Sequence, residues 1–291
     1  MIGNLHRRAG DTGPARGAWA RAIYADLDIR QSGSAAPDSQ GHVSGVQIGS
    51  DFLVAGNWRV GAFVGALDGN VDVSGNNAAG SFGRVGNNDL RSTYLGAYAT
   101  WLDASGWYAD AVLQAGGHRY DVSPDTGPQA SGKARSYSAS LEVGKSFALT
   151  ESWSIEPQAQ LIRQSTSFDD VQIAGARVQQ DAEGSWIGRL GLRIRGNFST
   201  AAGRLQPYAR VNVYRADSGA DVVSFVGPAG TARIASASGY TSTEVAAGFS
   251  LSLTPATMLY GEVGRLFSGG SGNDAQVKSS VQGSLGVRVA W

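Results

Sequence analysis

The sequence predicts an all-β protein: a twelve-stranded antiparallel transmembrane β-barrel with a short N-terminal segment or helix in or near its pore. Three observations carry that prediction. Twelve stretches alternate apolar residues with polar or small ones at the period of two that sends successive strand side chains to opposite faces. The segments between them alternate strictly between very short and long. Six of the seven Trp residues lie beside the short connections or a chain terminus.

Residues 1–17 contain Leu5, Arg7, Arg8, Asp11 and Pro14 without alternation, and read as a short helix or an extended lead-in. From Trp19 the alternation is sustained. It gives strands over 18–30, 41–55, 57–70, 90–103, 106–121, 134–149, 152–168, 184–199, 203–216, 241–253, 256–267 and 280–291. Each is near or above the length needed to cross a bilayer at a tilt. The last of them shows the pattern clearly: Val281, Gly283, Leu285, Val287, Val289 and Trp291 share one face, while Gln282, Ser284, Gly286, Arg288 and Ala290 share the other. Connections around Gly56, Ser105, Glu151, Ala201-Ala202 and Pro255 are short. Those at 31–40, 71–89, 122–133, 169–183, 217–240 and 268–279 are long and rich in Gly, Asn, Asp, Ser and Pro. Long loops gathered at one end are the habit of outer-membrane barrels, whose short turns lie on the periplasmic side. An even strand count returns both ends of the sheet to that side.

Trp19, Trp58, Trp101, Trp107, Trp153 and Trp291 fall at the short-turn end or a terminus, and Trp186 near the other end. Trp favours the membrane interface, where its ring is apolar and its N–H stays wet. Trp58, Trp101, Trp107, Trp153 and Trp186 are therefore the expected interface girdle.

The two faces carry opposite inventories. Val46, Ile48 and Phe52 oppose Gly45, Gln47, Gly49 and Asp51; Ala109, Ala111 and Leu113 oppose Asp110, Gln114 and His118; Leu190, Leu192 and Ile194 oppose Arg189, Arg193 and Arg195. The expected lumenal set is Arg21, Gln47, Asp51, Asp110, Gln114, Glu142, Glu156, Gln158, Gln160, Arg189, Arg193, Arg210 and Glu244. In a narrow polar interior these acids and guanidiniums can pair, instead of facing hydrocarbon at several kcal/mol per charge.

Composition excludes several classes. The formal charge is zero, which gives no signal for nucleic acid. Cys is absent, ruling out a disulfide framework and a thiolate metal site. No run of about 18 apolar residues exists to make a helical membrane span. The residues after Met1 lack a signal-peptide core, so an exported form of this chain is expected to be a processed piece. His6, His42 and His118 are the only histidines, too few for a His-rich metal cluster. A pair of His118 with Asp110 or Ser136 is conceivable, but His118 reads as a lumenal or rim residue. Asp169-Asp170 reads as a solvated turn. The glycines follow strand period and open no phosphate loop. No cofactor, no metal and no catalytic residue is expected.

Particular stretches carry a family resemblance. They are Gly17-Ala18-Trp19-Ala20-Arg21, Gly45-Val46-Gln47-Ile48-Gly49-Ser50-Asp51, Trp107-Tyr108-Ala109-Asp110, Glu142-Val143-Gly144, Glu156-Pro157-Gln158-Ala159-Gln160-Leu161, Gly188-Arg189-Leu190-Gly191, Pro207-Tyr208-Ala209 and Val287-Arg288-Val289-Ala290-Trp291. In this order and spacing the chain resembles the C-terminal translocator domain of monomeric autotransporters, nearly end to end. The resemblance implies an outer-membrane barrel of a Gram-negative bacterium, monomeric, whose pore holds an N-terminal helix leading to a secreted passenger. It implies that residues 1–17 are a remnant of that helix or linker, with Leu5, Arg7, Arg8 and Asp11 as pore plug, and that 18–291 is the barrel. It also implies that Val287, Val289 and Trp291 act as the assembly signal. The implied partners are the chain's own passenger, outer-membrane lipid and the barrel-assembly machinery, with no nucleic acid. Some members cut their own passenger with a helix Asn and lumenal acids, which points to Asn4 with Asp51, Asp110, Glu142, Glu156 or Glu244. Pairing of those acids with Arg21, Arg189, Arg193 and Arg210 is the competing reading. The implied function is membrane anchoring and passenger export. The alternatives are a small-solute porin or channel, and an outer-membrane hydrolase using His118 or loop acids.

Overall fold

The computed structural model describes residues 15–33, 36–76, 80–173, 175–182, 184–227, 230–269 and 275–291. Asn4 and the expected plug residues Leu5, Arg7, Arg8 and Asp11 lie outside these. Twelve strands build the main sheet: β1 Gly17–Arg30, β2 Asp38–Ala55, β3 Trp58–Asn76, β4 Phe82–Leu102, β5 Trp107–Pro124, β6 Ala130–Lys145, β7 Trp153–Phe168, β8 Ser185–Gly196, β9 Gly203–Ala216, β10 Thr241–Ser252, β11 Thr257–Ser268 and β12 Gln276–Ala290. Each pairs antiparallel with its neighbours in the chain. The fragments Phe147–Ala148 and Phe198–Thr200 prolong the pairing at the short-turn end of β7 and β9. Among the described residues no helix occurs.

The sheet closes on itself. β12 returns to β1 with Gly17 opposite Ala290, Ala20 opposite Val287 and Ala22 opposite Leu285. Closure is what lets β-structure stand in hydrocarbon, because an open edge would leave unpaired N–H and C=O groups with no water to satisfy them. The outer face is apolar and bare: Leu95 and Leu113 are both 64% exposed and Leu190 is 69% exposed. Such a surface suits lipid and would be an aggregation hazard in water.

The long-loop end differs from expectation. The segments 71–89 and 122–133 are mostly strand, since β3 runs to Asn76, β4 starts at Phe82, β5 ends at Pro124 and β6 begins at Ala130. Beyond the bilayer both faces meet water, so polar residues such as Asp72, Asn87 and Asn88 hide the alternation while the backbone ladder continues. The segments 169–183 and 217–240, expected as loops, instead form a second, four-stranded antiparallel sheet in the order Gly230–Ala237, Ala220–Gly227, Ala176–Asp181, Val171–Ile173. Val178 is buried in it and pairs with Phe225. The sheet rests on the first long connection, where Gly33 bridges Ser236 and the Ala237 amide donates to the Ser32 carbonyl at 2.8 Å.

The short turns are built locally. At Asp103–Gly106 the Ser105 hydroxyl and amide both donate to the Asp103 carboxylate, holding it below the usual carboxylate range. Gly106 has φ +91°, and a Cβ there would run into the Ser146 carbonyl, so only glycine fits.

Candidate functional site

Every second residue of each strand faces inward, and the inner wall has a repeating design. Large rings pack against glycines of the adjacent strand: Trp19 on Gly49, Tyr98 on Gly61, Tyr94 on Gly65, Tyr108 on Gly144, Tyr208 on Gly248 and Tyr260 on Gly286. At each of these glycines a Cβ would collide with the ring. The lumenal glycines thus make room for aromatics, which fill the interior while keeping their hydroxyls available.

Between the rings runs a network of buried charge. The Asp51 carboxylate, beside a bulge in β2, accepts from Arg59 at 2.6 Å, Arg288 at 2.5 Å and the Tyr98 hydroxyl at 2.7 Å. Trp19 Nε1 donates to that same hydroxyl at 3.3 Å. Arg21 donates to Gln47 at 2.8 Å, and Thr100 to Asp110 at 2.5 Å. Farther round the wall, Glu142 accepts from Tyr108 at 2.6 Å and pairs with Arg189 at 3.2 Å. Arg189 also donates to Gln158, Gln160 and Asn212, each at 2.9 Å, and Gln158 donates to Glu156 at 2.7 Å. Arg193 stacks over the Tyr208 ring at 4.2 Å. Arg210 forks between two carboxylates, at 2.7 Å from Glu244 and 2.6 Å from Glu262. Asn212, Tyr214 and Gln282 donate to Glu244 as well.

Twelve of the thirteen expected lumenal residues are therefore buried inside the barrel; the other, Gln114, is half-buried and lines an inner cavity. Burying an ion costs several kcal/mol, and that cost is offset only where geometry is good and the remaining lone pairs are satisfied. The charge-assisted bonds of 2.5–2.7 Å around Asp51 and Arg210 have that geometry, although Arg59 Nε and Arg288 Nη1 beside Asp51 are buried without a hydrogen-bond partner among the described residues. The expected lumenal set left out Arg59, Tyr98, Tyr108, Asn212, Glu262, Gln282 and Arg288, although Gln282 and Arg288 already fell on the polar face of the last strand. Strand parity alone places them on the inner face, and their partners on adjacent strands complete the network.

Beside this network lies a cavity of about 420 Å³ whose lining includes Gln114, His118, Ser136, Gln160, Tyr240 and Leu266. His118 is held at both ring nitrogens, by Ser92 and Ser136 hydroxyls at 2.7 Å each. Asp110, the other partner considered for it, belongs to Thr100 instead. The structure thus brings together His118 and Ser136, the hydroxyl considered for it, while the other ring nitrogen goes to the Ser92 hydroxyl where a Ser–His pair would have an orienting carboxylate.

The outer surface carries the remaining predicted residues. Trp58, Trp107, Trp153 and Trp186 are 40–52% exposed there, and Trp101 is half-buried opposite Trp58. Trp19 points inward and is 1% exposed, because Ala18, Ala20 and Ala22 take the outward positions of β1. Lys145 lies 5.0 Å from the centroids of both Trp107 and Phe147. Val287 and Val289 face outward, and Trp291 is 67% exposed with its amide donating to the Arg16 carbonyl at 3.0 Å.

Residues 18–264 match the model of a family described as "Autotransporter beta-domain". The pertactin autotransporter of Bordetella bronchiseptica is 32% identical over 218 residues, covering 72% of this chain and 23% of that protein. BrkA of Bordetella pertussis is 31% identical over 219 residues, 72% of this chain and 20% of that protein. The chain thus spans less than a quarter of the length of these relatives. Among solved structures, the β domain of Bordetella BrkA superposes with a TM-score of 0.72 at 24% identity, covering 95% of this chain and all of that one. The transport unit of AIDA-I from Escherichia coli gives 0.79 at 16% identity, with coverage of 100% and 93%. At these identities the superpositions establish the fold.

Proposed function

This chain belongs to the autotransporter beta-domain family, and on that premise we propose that it is an outer-membrane translocator. It anchors in the outer membrane of a Gram-negative bacterium and carries a passenger polypeptide, joined upstream of β1, to the cell surface. One observation carries the reading. The Ala15 carbonyl, two residues before β1, accepts from Arg59 and Arg288 at 3.3 Å each. Both guanidiniums are buried in the lumen and fixed by Asp51. The chain entering the barrel is thereby held against the inner wall at the short-turn end, which supports a pore path for the segment ahead of it. Residues 1–17 are on this reading the pore segment, with Arg7 and Arg8 drawn to lumenal acids.

The lumen works as a collar. Its charges are paired along the wall between nearby strands, so a passing or resting polypeptide meets a fixed pattern of donors and acceptors. No chemistry is assigned to it, and the acids considered for passenger cleavage sit in structural networks. The partners are the passenger, the lipid around the apolar belt and the barrel-assembly machinery, for which Val287, Val289 and Trp291 are the recognition strand. The barrel works as a monomer.

Conductance tests the reading. Deleting residues 1–14 is expected to raise single-channel conductance in planar bilayers several-fold. Arg7→Glu with Arg8→Glu is expected to do part of the same. Equal, steady conductance of the intact and shortened chains would contradict it and favour a porin.

A further inference from the structure

Where β3 to β6 leave the apolar belt, their outward side chains form a row. Asp68 faces Arg91, Arg91 faces Arg119, and Arg119 faces Lys133, each directly across a strand pair. One step nearer the membrane, Ala66, Thr93, Gly117 and Arg135 repeat the row. Arg91, Arg119, Lys133 and Arg135 are all exposed. Like charges directly opposite one another destabilise a sheet pair unless something between them supplies the opposite sign. The protein supplies little. Asp68 reaches Arg91 at 3.6 Å with both side chains exposed. Asp89 and Asp121, opposed one step farther from the membrane, are taken up by Asn70 and the Ser131 hydroxyl. Asp169 is exposed nearby, with its amide on the Lys133 carbonyl at 2.9 Å. Among the described residues no carboxylate lies within 4.0 Å of the charged nitrogens of Arg119, Lys133 or Arg135.

The height of the row is telling. Arg91 and Trp101 both face outward on β4, ten residues apart. At about 3.3 Å per residue and a strand tilt of about 40°, that is about 25 Å along the membrane normal, the thickness of the apolar band of such barrels. Trp101 marks the short-turn interface, so the cations stand at headgroup level in the opposite leaflet. Directly beneath them is an apolar groove of about 670 Å³ between Val46, Ile48, Val64, Leu95, Ala115 and Tyr137. Its floor is small residues, and Gly117 opens it beside Arg135, with nothing within 4 Å of where a Cβ would stand. A cationic shelf over an apolar trough matches an amphiphile with an anionic head.

We propose that Arg91, Arg119, Lys133 and Arg135 bind the phosphates of an outer-leaflet lipid headgroup, whose acyl chains occupy the groove below. The headgroup phosphates insert the negative charge that the opposed cations lack, and the shelf fixes one lipid beside β4 and β5. The inference rests on the outer-membrane placement and does not depend on passenger export.

The test uses the full chain folded in detergent, with a bisphosphorylated glucosamine-based lipid (lipid A), its dephosphorylated form and inorganic phosphate as probes. Binding is read by native mass spectrometry. Each basic side chain near an anionic headgroup is worth about fivefold in affinity, so Arg91→Gln, Arg119→Gln and Lys133→Gln together are expected to weaken lipid A binding on the order of 100-fold. Dephosphorylated lipid should bind the parent chain as poorly as lipid A binds the variant. Arg177→Gln, on the second sheet, should change nothing. Gel mobility before and after heating reports whether the variant folds. Should the triple variant not fold, Arg119→Gln and Lys133→Gln singly are expected to cost about fivefold each. Lipid A binding within twofold of the parent in folded variants would overturn the site. So would competition by inorganic phosphate at lipid A's own concentration, which would make it a site for any small anion. Either failure leaves the export reading standing, since conductance and surface display test that separately.

Discussion

Replacing Arg210 by Met is expected to be among the most destabilising single changes inside the lumen. Arg210 is 3% exposed and makes four hydrogen bonds of 2.6–3.0 Å to the Glu244 and Glu262 carboxylates. Met keeps an unbranched stem but ends short of the guanidinium and removes the cation, leaving the Glu244 and Glu262 carboxylates of the neighbouring strands β10 and β11 with no cation between them. Summing four charge-assisted bonds would overstate the loss. Glu244 keeps Asn212 at 2.6 Å and Tyr214 at 2.9 Å, and Glu262 keeps Tyr208 at 3.1 Å. Removing one partner of a buried ionic cluster typically costs about 3–5 kcal/mol, dominated by the charge left uncompensated. That range is the expectation here, measured as the fall in unfolding free energy from a urea titration in phosphatidylcholine vesicles. The cause is separable from packing. Arg210→Met combined with Glu244→Gln and Glu262→Gln removes the stranded anions and should return to within about 1–2 kcal/mol of the parent chain. Arg210→Lys keeps the charge but loses the planar fork, and should fall between them. A loss below about 1 kcal/mol for Arg210→Met would refute the reasoning, because it would mean lumenal water screens the cluster as it screens a surface pair.

Three further outcomes are expected. Leu113→Arg, on the lipid face at 64% exposed, should cost about 2–4 kcal/mol in the same titration, while the adjacent Gln114→Arg, facing the cavity, should cost far less; equal losses would mean the faces are misassigned. Ala20→Cys with Val287→Cys, opposed residues of β1 and β12, should form a disulfide under mild oxidation, and absence of the cross-link would contradict closure. Trp291→Ala should lower the amount of barrel inserted in the outer membrane of cells yet leave in vitro refolding nearly unchanged; unaltered surface levels would reduce Trp291 to an interface anchor.

The parts legible in sequence are those where lipid imposes a rule. From β1 to β12 the bilayer demands an apolar outward residue at every second position, so the alternation at Val46–Ile48 or Leu190–Ile194 could be read directly. Beyond the bilayer that demand stops. β3 continues through Asp72 and Ser74, and β4 starts well before Leu90, but with water on both faces their Gly and Asn residues resemble loop sequence. The second sheet was hidden for the same reason, although Val222, Val223, Phe225 and Val226 form a short apolar run that hints at it. Inside the lumen, parity gave the inward face but not who meets whom. That Asp51 of β2 would gather Arg59 from β3 and Arg288 from β12 depends on closure and register. Trp19 misled because an interface Trp and an interior Trp look alike beside three alanines. Only the Gly49 opposite, which takes its ring, tells them apart.

Surface display of an upstream epitope tests the central claim most directly. A secretion signal and an epitope tag fused ahead of residue 1 would be expressed with the barrel in a Gram-negative host and probed on intact cells. The account predicts that antibody binds the tag without permeabilisation, and that protease added outside removes it while the heat-shifted barrel band persists. A tag reached only after the outer membrane is opened, from a barrel shown by gel shift to be folded and inserted, would contradict it.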